Sequence, residues 1–169
     1  MQSVYNFIVS PKDGRSTSEK IVGGKKLLLN TEVQNHHYTN RFGIVTSVPK
    51  VTDGAIEAGD EIIVHHNVFR RFRDIRGKEK DSKSFYKEDM FFVYPEQIYA
   101  YKRDDKWNAL PGYCFIKPIA NKKQFSLHKE VEAIGIIKYA SDDFESGALV
   151  GFVPGMEYEF NIEGQRLYR

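Results

Sequence analysis

The sequence predicts an all-β protein made of two tandem small β-barrels, the first carrying a long mobile loop. Three observations lead there. The apolar runs are short, rich in β-branched and aromatic residues, and punctuated by glycine and proline, as in Phe42-Gly43-Ile44-Val45-Thr46-Ser47-Val48-Pro49 and Gly59-Asp60-Glu61-Ile62-Ile63-Val64. No long window has a helical apolar period. One order of strands also occurs twice. Tyr5-Asn6-Phe7-Ile8-Val9, Gly43-Ile44-Val45 and Gly59-Asp60-Glu61-Ile62 are answered by Tyr113-Cys114-Phe115-Ile116-Lys117, Gly135-Ile136-Ile137 and Gly147-Ala148-Leu149-Val150.

Taken in order, residues 4–10 read as a strand stopped by Pro11. Residues 12–20 are polar and expected to be mobile. Gly23-Gly24 offers a flexible or left-handed turn, followed by Leu27-Leu28-Leu29. Residues 31–41 are polar, with His36 and His37, and return the chain to the Phe42 strand. Asp53-Gly54 marks a turn before the Gly59 strand. Residues 65–75 favour a further β segment, and the charged residues 76–87 a solvated hairpin or loop. Met90-Phe91-Phe92-Val93-Tyr94 is a strand stopped by Pro95, and residues 96–101 add a final short one. Residues 103–109 are polar apart from Trp107, and the turn Leu110-Pro111-Gly112 sets the boundary between modules 1–109 and 110–169. Near the end, residues 156–162 alternate with period two and turn at Glu163-Gly164 into Arg166-Leu167-Tyr168.

The copies differ in one connection. Tyr5 and Gly43 lie 38 positions apart, Tyr113 and Gly135 only 22, an excess of 16 residues in the first copy. An insertion on one copy of a duplicated scaffold is a candidate functional loop. Leu27-Leu28-Leu29 reads either as core or as an exposed anchor on that loop; the second copy closes the connection with no such run.

Composition is ordinary for a globular chain of 169 residues, with 41% hydrophobic and 28% charged residues. A net charge of +2 does not by itself argue for nucleic acid or membrane. One cysteine, Cys114, leaves no internal disulfide and fits a reducing compartment, so a cytoplasmic location is expected. No apolar run approaches the roughly 20 residues of a membrane helix, and Met1-Gln2-Ser3-Val4 does not open a signal peptide.

Four weak motifs, in this order and spacing, resemble the GroES-like co-chaperonin (chaperonin-10) family. They are Phe7-Ile8-Val9; Gly23-Gly24 with an apolar tripeptide; Gly43-Ile44-Val45-Thr46-Ser47-Val48; and Ala58-Gly59-Asp60-Glu61-Ile62-Ile63-Val64. Met90-Phe91-Phe92-Val93 and Glu96-Gln97-Ile98-Tyr99-Ala100 are similar to the family's closing segments. The resemblance spans roughly residues 4–102, and the long duplicated form is similar to versions carried by marine bacteriophages, which would act in the host cytoplasm. It implies a co-chaperonin without catalytic group or cofactor, capping a GroEL-type chaperonin as a homo-oligomeric ring, seven subunits being the family's number. It implies docking through a mobile loop bearing Gly23, Gly24, Leu27, Leu28 and Leu29. It also implies subunit contacts through Tyr5, Phe7, Val9, Ile98 and Ala100. The family's roof hairpin corresponds only to residues 50–58, which are few, and the second module has no counterpart in ordinary members. That module stops at Tyr168-Arg169, before a counterpart of the first copy's closing strand.

Other chemistries find less support. The family's alcohol-dehydrogenase relatives are set aside, because no Gly-x-Gly-x-x-Gly follows a strand and no cysteine and histidine spacing matches their zinc ligands. His36-His37 and His65-His66 are adjacent pairs, which on a strand would face opposite ways and not chelate one ion. Cys114 reads as an inert core thiol. No nucleophile elbow or phosphate loop is present, so no enzyme is expected. The competing reading is a nucleic-acid-binding barrel. Arg70-Arg71-Phe72-Arg73, Arg76, Lys78, Lys80, Lys83, Phe85, Tyr86 and Lys87 interleave cations with aromatics, diluted by Asp74, Glu79, Asp81, Glu88 and Asp89. A phage structural or adaptor protein reusing the fold is a third.

Overall fold

A computed structural model describes residues 2–15, 19–23, 25–28, 39–121 and 130–169. They form an all-β protein with no α-helix among the described residues. The chain divides into two compact units, Met1–Asp105 and Lys106–Arg169.

The first unit contains β1 (Phe7–Pro11), β2 (Glu19–Val22), β3 (Lys25–Leu28), β4 (Phe42–Ser47) and β5 (Glu61–Val64). It continues with β6 (Arg71–Arg73), β7 (Glu79–Asp81), β8 (Phe85–Lys87), β9 (Met90–Val93) and β10 (Ile98–Arg103). A 3-10 turn at Pro95–Gln97 joins β9 to β10. The main sheet of this unit runs β10-β5-β4-β1-β9-β8, while β2-β3 and β6-β7 form separate two-stranded sheets. Ile62, Ile63 and Val64 are all fully buried. Consecutive strand residues point to opposite faces, so β5 is covered on both sides, which explains its unbroken apolar run. Phe69 and Phe91 fill the core edge to face, with ring centres 5.0 Å apart. Arg103 ties the end of β10 to the turn before β5. Its guanidinium donates to both carboxylate oxygens of buried Asp60, at 3.1 and 2.6 Å, and to the carbonyl of Ala55 at 3.1 Å. Those bonds to Asp60 raise the Arg103 pKa further above its usual value.

The second unit contains β11 (Lys106–Ala109), β12 (Cys114–Ala120), β13 (Glu130–Ala140), β14 (Leu149–Gly151), β15 (Glu159–Ile162) and β16 (Gln165–Tyr168). Its five-stranded sheet runs β14-β13-β12-β16-β15. Phe115, Phe160, Ile162 and Leu167 form its core. Glu163 and Gly164, both at positive φ, make the tight turn between β15 and β16.

The internal repeat is written in the hydrogen bonds. Gly59 N–H donates to Val45 O at 2.8 Å, and Gly147 N–H to Ile137 O at 2.8 Å. Val45 N–H donates to Asp60 O, and Ile137 N–H to Ala148 O. The strand orders β5-β4-β1-β9-β8 and β14-β13-β12-β16-β15 therefore correspond position by position. The register corrects the sequence alignment by one residue. Gly43 lies opposite Pro11 and Gly135 opposite Pro118, so Phe115 corresponds to Ile8 and not to Phe7. Close packing fixes this. A Cβ on Gly43 would stand 2.5 Å from Val9 Cγ1 and 2.9 Å from Phe69 Cζ; one on Gly135 would stand 2.2 Å from Ile116 Cγ2 and 2.8 Å from Lys117 O.

Three further expectations change. Pro11 is the last residue of β1 and not its stop: Lys12 N–H turns toward β4, so position 11 faces away, where β9, paired only as far as Val9, needs no donor. Residues 106–109, read as polar connection, form β11, with Trp107 and Ala109 buried on alternate positions. Closed barrels are not formed among the described residues: both strand orders are open, and their terminal strands do not pair with each other.

Adding one methyl at Gly43 or Gly135 is expected to cost about 1–3 kcal/mol by overpacking. Urea unfolding of Gly43→Ala and Gly135→Ala checks this against Gly151→Ala, whose new Cβ would meet nothing nearer than 3.7 Å and which should stay within about 0.5 kcal/mol of the parent.

Candidate functional site

The long connection between β1 and β4 begins and ends at one clamp. Asn40 is buried. Its side-chain amide donates to the carbonyls of Lys12 and Gly14, its side-chain oxygen accepts from Phe42 N–H at 2.9 Å, and its own N–H donates to Arg15 O at 3.1 Å. One asparagine thus satisfies both strands of the loop base, using two donors and an acceptor on a short stem. Arg15 anchors the outgoing strand. Its guanidinium lies 4.9 Å from the centre of the Phe91 ring, pairs with Asp81 at 2.7 Å and donates to Phe69 O at 3.3 Å. The sequence reading singled out neither residue. The available signal was a lone asparagine just before a strand, a common turn feature.

Beyond the clamp, β2 and β3 pair with each other and with no other strand among the described residues. Val22 faces Lys25, Lys20 faces Leu27, and Glu19 faces Leu28. Gly23 sits in the turn at φ +60, the left-handed region that favours glycine. The fold therefore brings Gly23, Leu27 and Leu28 onto one hairpin. Gly24 and Leu29 lie outside the described residues, as do His36 and His37.

The residues read as subunit contacts are placed differently from one another. Phe7, Val9, Ile98 and Ala100 are buried inside the chain, while Tyr5 is 66% exposed. Strand β1 lies between β4 and β9, so over Ile8 and Val9 both its edges are occupied within the chain. Val4, next to Tyr5 in sequence, and Val51, whose N–H donates to Val4 O, are also exposed.

The cation-rich segment is a hairpin laced with its own acids. Arg71 pairs with Glu79 at 3.1 Å, and Arg73 faces Glu79 across the β6-β7 ladder. One oxygen of Asp74 accepts the N–H groups of Arg76 and Lys78, both at 2.9 Å, and closes the turn. A cavity of about 410 Å³ beside it is lined by Arg70, Phe72, Lys83 and Gln97 among others. His65 and His66 follow the end of β5 in a turn, so their rings stack 4.2 Å apart and do not take the opposite faces a strand would impose. Asn67 N–H donates to His65 Nδ1 at 3.1 Å. Among the described residues no three His, Cys, Asp or Glu side chains gather as metal ligands. Burial pushes the Cys114 thiol up, which disfavours the nucleophilic thiolate.

In the second unit a cavity of about 460 Å³ is lined by Glu130, Glu132, Phe152, Glu157, Arg166 and Tyr168 among others. Tyr168 Oη donates to Glu130 Oε2 at 2.8 Å, and Arg166 bridges Glu130 at 3.0 Å and Glu159 at 2.9 Å. Burial, then the bond to Glu130, pushes the Tyr168 phenol up to about 12 from its usual 10.

Because the folded-state value is raised, the neutral phenol's contribution to stability is complete below pH 10 and is lost as pH rises toward 12. Tyrosinate absorbance during alkaline titration should include a late-ionising step from Tyr168, and Tyr168→Phe should remove it. A late step that survives Tyr168→Phe assigns it elsewhere.

Comparison with protein-family models, with curated proteins and with solved structures returned no match for this chain.

Proposed function

We propose that the chain is a co-chaperonin of tandem GroES-like modules, which caps a GroEL-type chaperonin and docks on it through the β2-β3 hairpin. The observation that carries this reading is the clamped excursion. The same scaffold occurs twice, yet between the matched Pro11 and Gly43 the first copy has residues 12–42, its base held by Asn40, where the second has only residues 119–134 between Pro118 and Gly135. A loop with a fixed base can change conformation on binding without disturbing the sheet that carries it.

The energetics suit a reversible cap. Burying one leucine contributes about 1.5–3 kcal/mol, while ordering each loop residue costs about 1–2 kcal/mol of backbone entropy. A single loop therefore binds weakly. Several loops on one ring gain by effective concentration, so the assembly holds tightly and still releases when the partner changes state. Among the five contact residues, Tyr5 is the one that a neighbouring subunit reaches without opening the core. A ring on this reading uses the exposed Val4-Tyr5 segment, and the buried Phe7, Val9, Ile98 and Ala100 support it from inside. The nucleic-acid reading is weaker here, because Arg15 and Arg71 are held by Asp81 and Glu79.

The test replaces Leu27, Leu28 and Leu29 with serine. The variant is expected to keep its β spectrum and oligomeric state while its affinity for an ATP-loaded chaperonin ring falls at least about a hundredfold, with loss of assisted refolding. Unchanged capping overturns the docking assignment. Loss of folding means that the leucines belong to a core.

A further inference from the structure

Along the two main sheets the correspondence ends at β5 and β14. In the first unit, β10 covers the outer edge of β5, with Lys102 opposite Glu61 and Ala100 opposite Ile63. In the second unit β14 takes the place of β5, Leu149 corresponding to Glu61 and Gly151 to Ile63. No strand among the described residues lies on its outer edge, since β14 is terminal in its sheet.

That edge is ready to pair. Ala148 C=O accepts from Ile137 N–H at 3.0 Å, and Phe152 N–H donates to Ala133 O at 2.9 Å, so positions 148 and 152 face inward. Alternation then turns the N–H and C=O groups of Leu149 and Gly151 outward. The face beside them is apolar. Leu149 is 68% exposed, and Ile136 directly opposite it and Ile134 opposite Gly151 are exposed as well. Leu149-Val150-Gly151 carries neither the charge nor the proline that usually protects a sheet edge.

We infer that this edge pairs with the same edge of a second copy, antiparallel about a two-fold axis through Val150, to make one continuous sheet across two chains. The register is self-complementary. It sets Leu149 of each chain against Gly151 of the other, and each such pair exchanges two backbone hydrogen bonds. Gly151 provides the room: a Cβ there would meet only Ala133 O, at 3.7 Å. The leucine of one chain fills the gap over the glycine of the other, between its own Ile136 and the other chain's Ile134, so an exposed stripe becomes a buried one. The other main-sheet edges fit it less well. β15 exposes Glu159 and Asn161, and β8 ends on exposed Lys87, which would set polar groups against Leu149. This association is independent of chaperonin docking, which uses the first unit.

The test is cross-linking across the axis. The two copies of Val150 form a non-hydrogen-bonded pair with Cα atoms about 4.5 Å apart, within the disulfide range of about 4.4–6.8 Å. Val150→Cys in a Cys114→Ser background should give a disulfide-linked dimer on mild oxidation, and Tyr86→Cys on β8 should not. Gly151→Ile fills the slot, and Leu149→Lys charges the edge. By sedimentation, each should weaken this association at least about tenfold with the β spectrum retained. The inference is overturned if Val150→Cys does not cross-link while folded, or if both substitutions leave the association constant unchanged. Loss of capping with the cross-link intact, or the reverse, separates this interface from the proposed function.

Discussion

At Gly43 and Gly135, β4 passes so close to β1, and β13 to β12, that no methyl group fits between them. The rest of each sheet follows from that approach. It sets Pro11 and Pro118 opposite glycine and puts Val9 and Ile116 beneath the close contact. In the first unit it also lets Phe69 reach the backbone of β4 and stack edge to face on Phe91. The following glycine turns, Gly59 and Gly147, then place β5 and β14 by the same two bonds. A one-residue slip would move every apolar side chain to the opposite face.

From this shared frame the two units diverge at their borders. The first unit covers β5 with β10 and locks that strand's end through Arg103 on buried Asp60. In the second, Ala148 stands where Asp60 would, and β14 keeps an apolar outer face. The first unit instead spends its extra length between β1 and β4, behind the Asn40 clamp. A sheet tolerates long insertions there, because closing a longer loop costs entropy that grows only slowly with length. One duplicated frame thus supports two different surfaces: a hairpin on the first copy and an open strand edge on the second.

Much of this was legible in the residues. The β-branched runs, the glycine-led strands, the Glu163-Gly164 hairpin and the doubled strand order are local signals, set by steric preference and by the two-residue period of a strand. The Gly23 turn and the neighbouring leucines were visible for the same reason. Sequence alone also exposed the excess length of the first connection, because a repeat provides its own ruler.

What only the tertiary structure decided is which edge meets which. Aligning Phe7 with Phe115 is natural from side-chain type, but the register follows backbone approach, which the glycines set one residue away. That β1 is flanked on both edges, so that Phe7 and Val9 are interior, depends on β9, some 80 residues further along the chain. Asn40 and Arg15 acquire their roles from carbonyls and rings contributed by distant segments, and His65 and His66 stack because the strand ends just before them. Local pattern determines what each segment is, since it depends on neighbours in sequence. Partner, edge and clamp depend on contacts between segments far apart, and one-dimensional periodicity does not encode them.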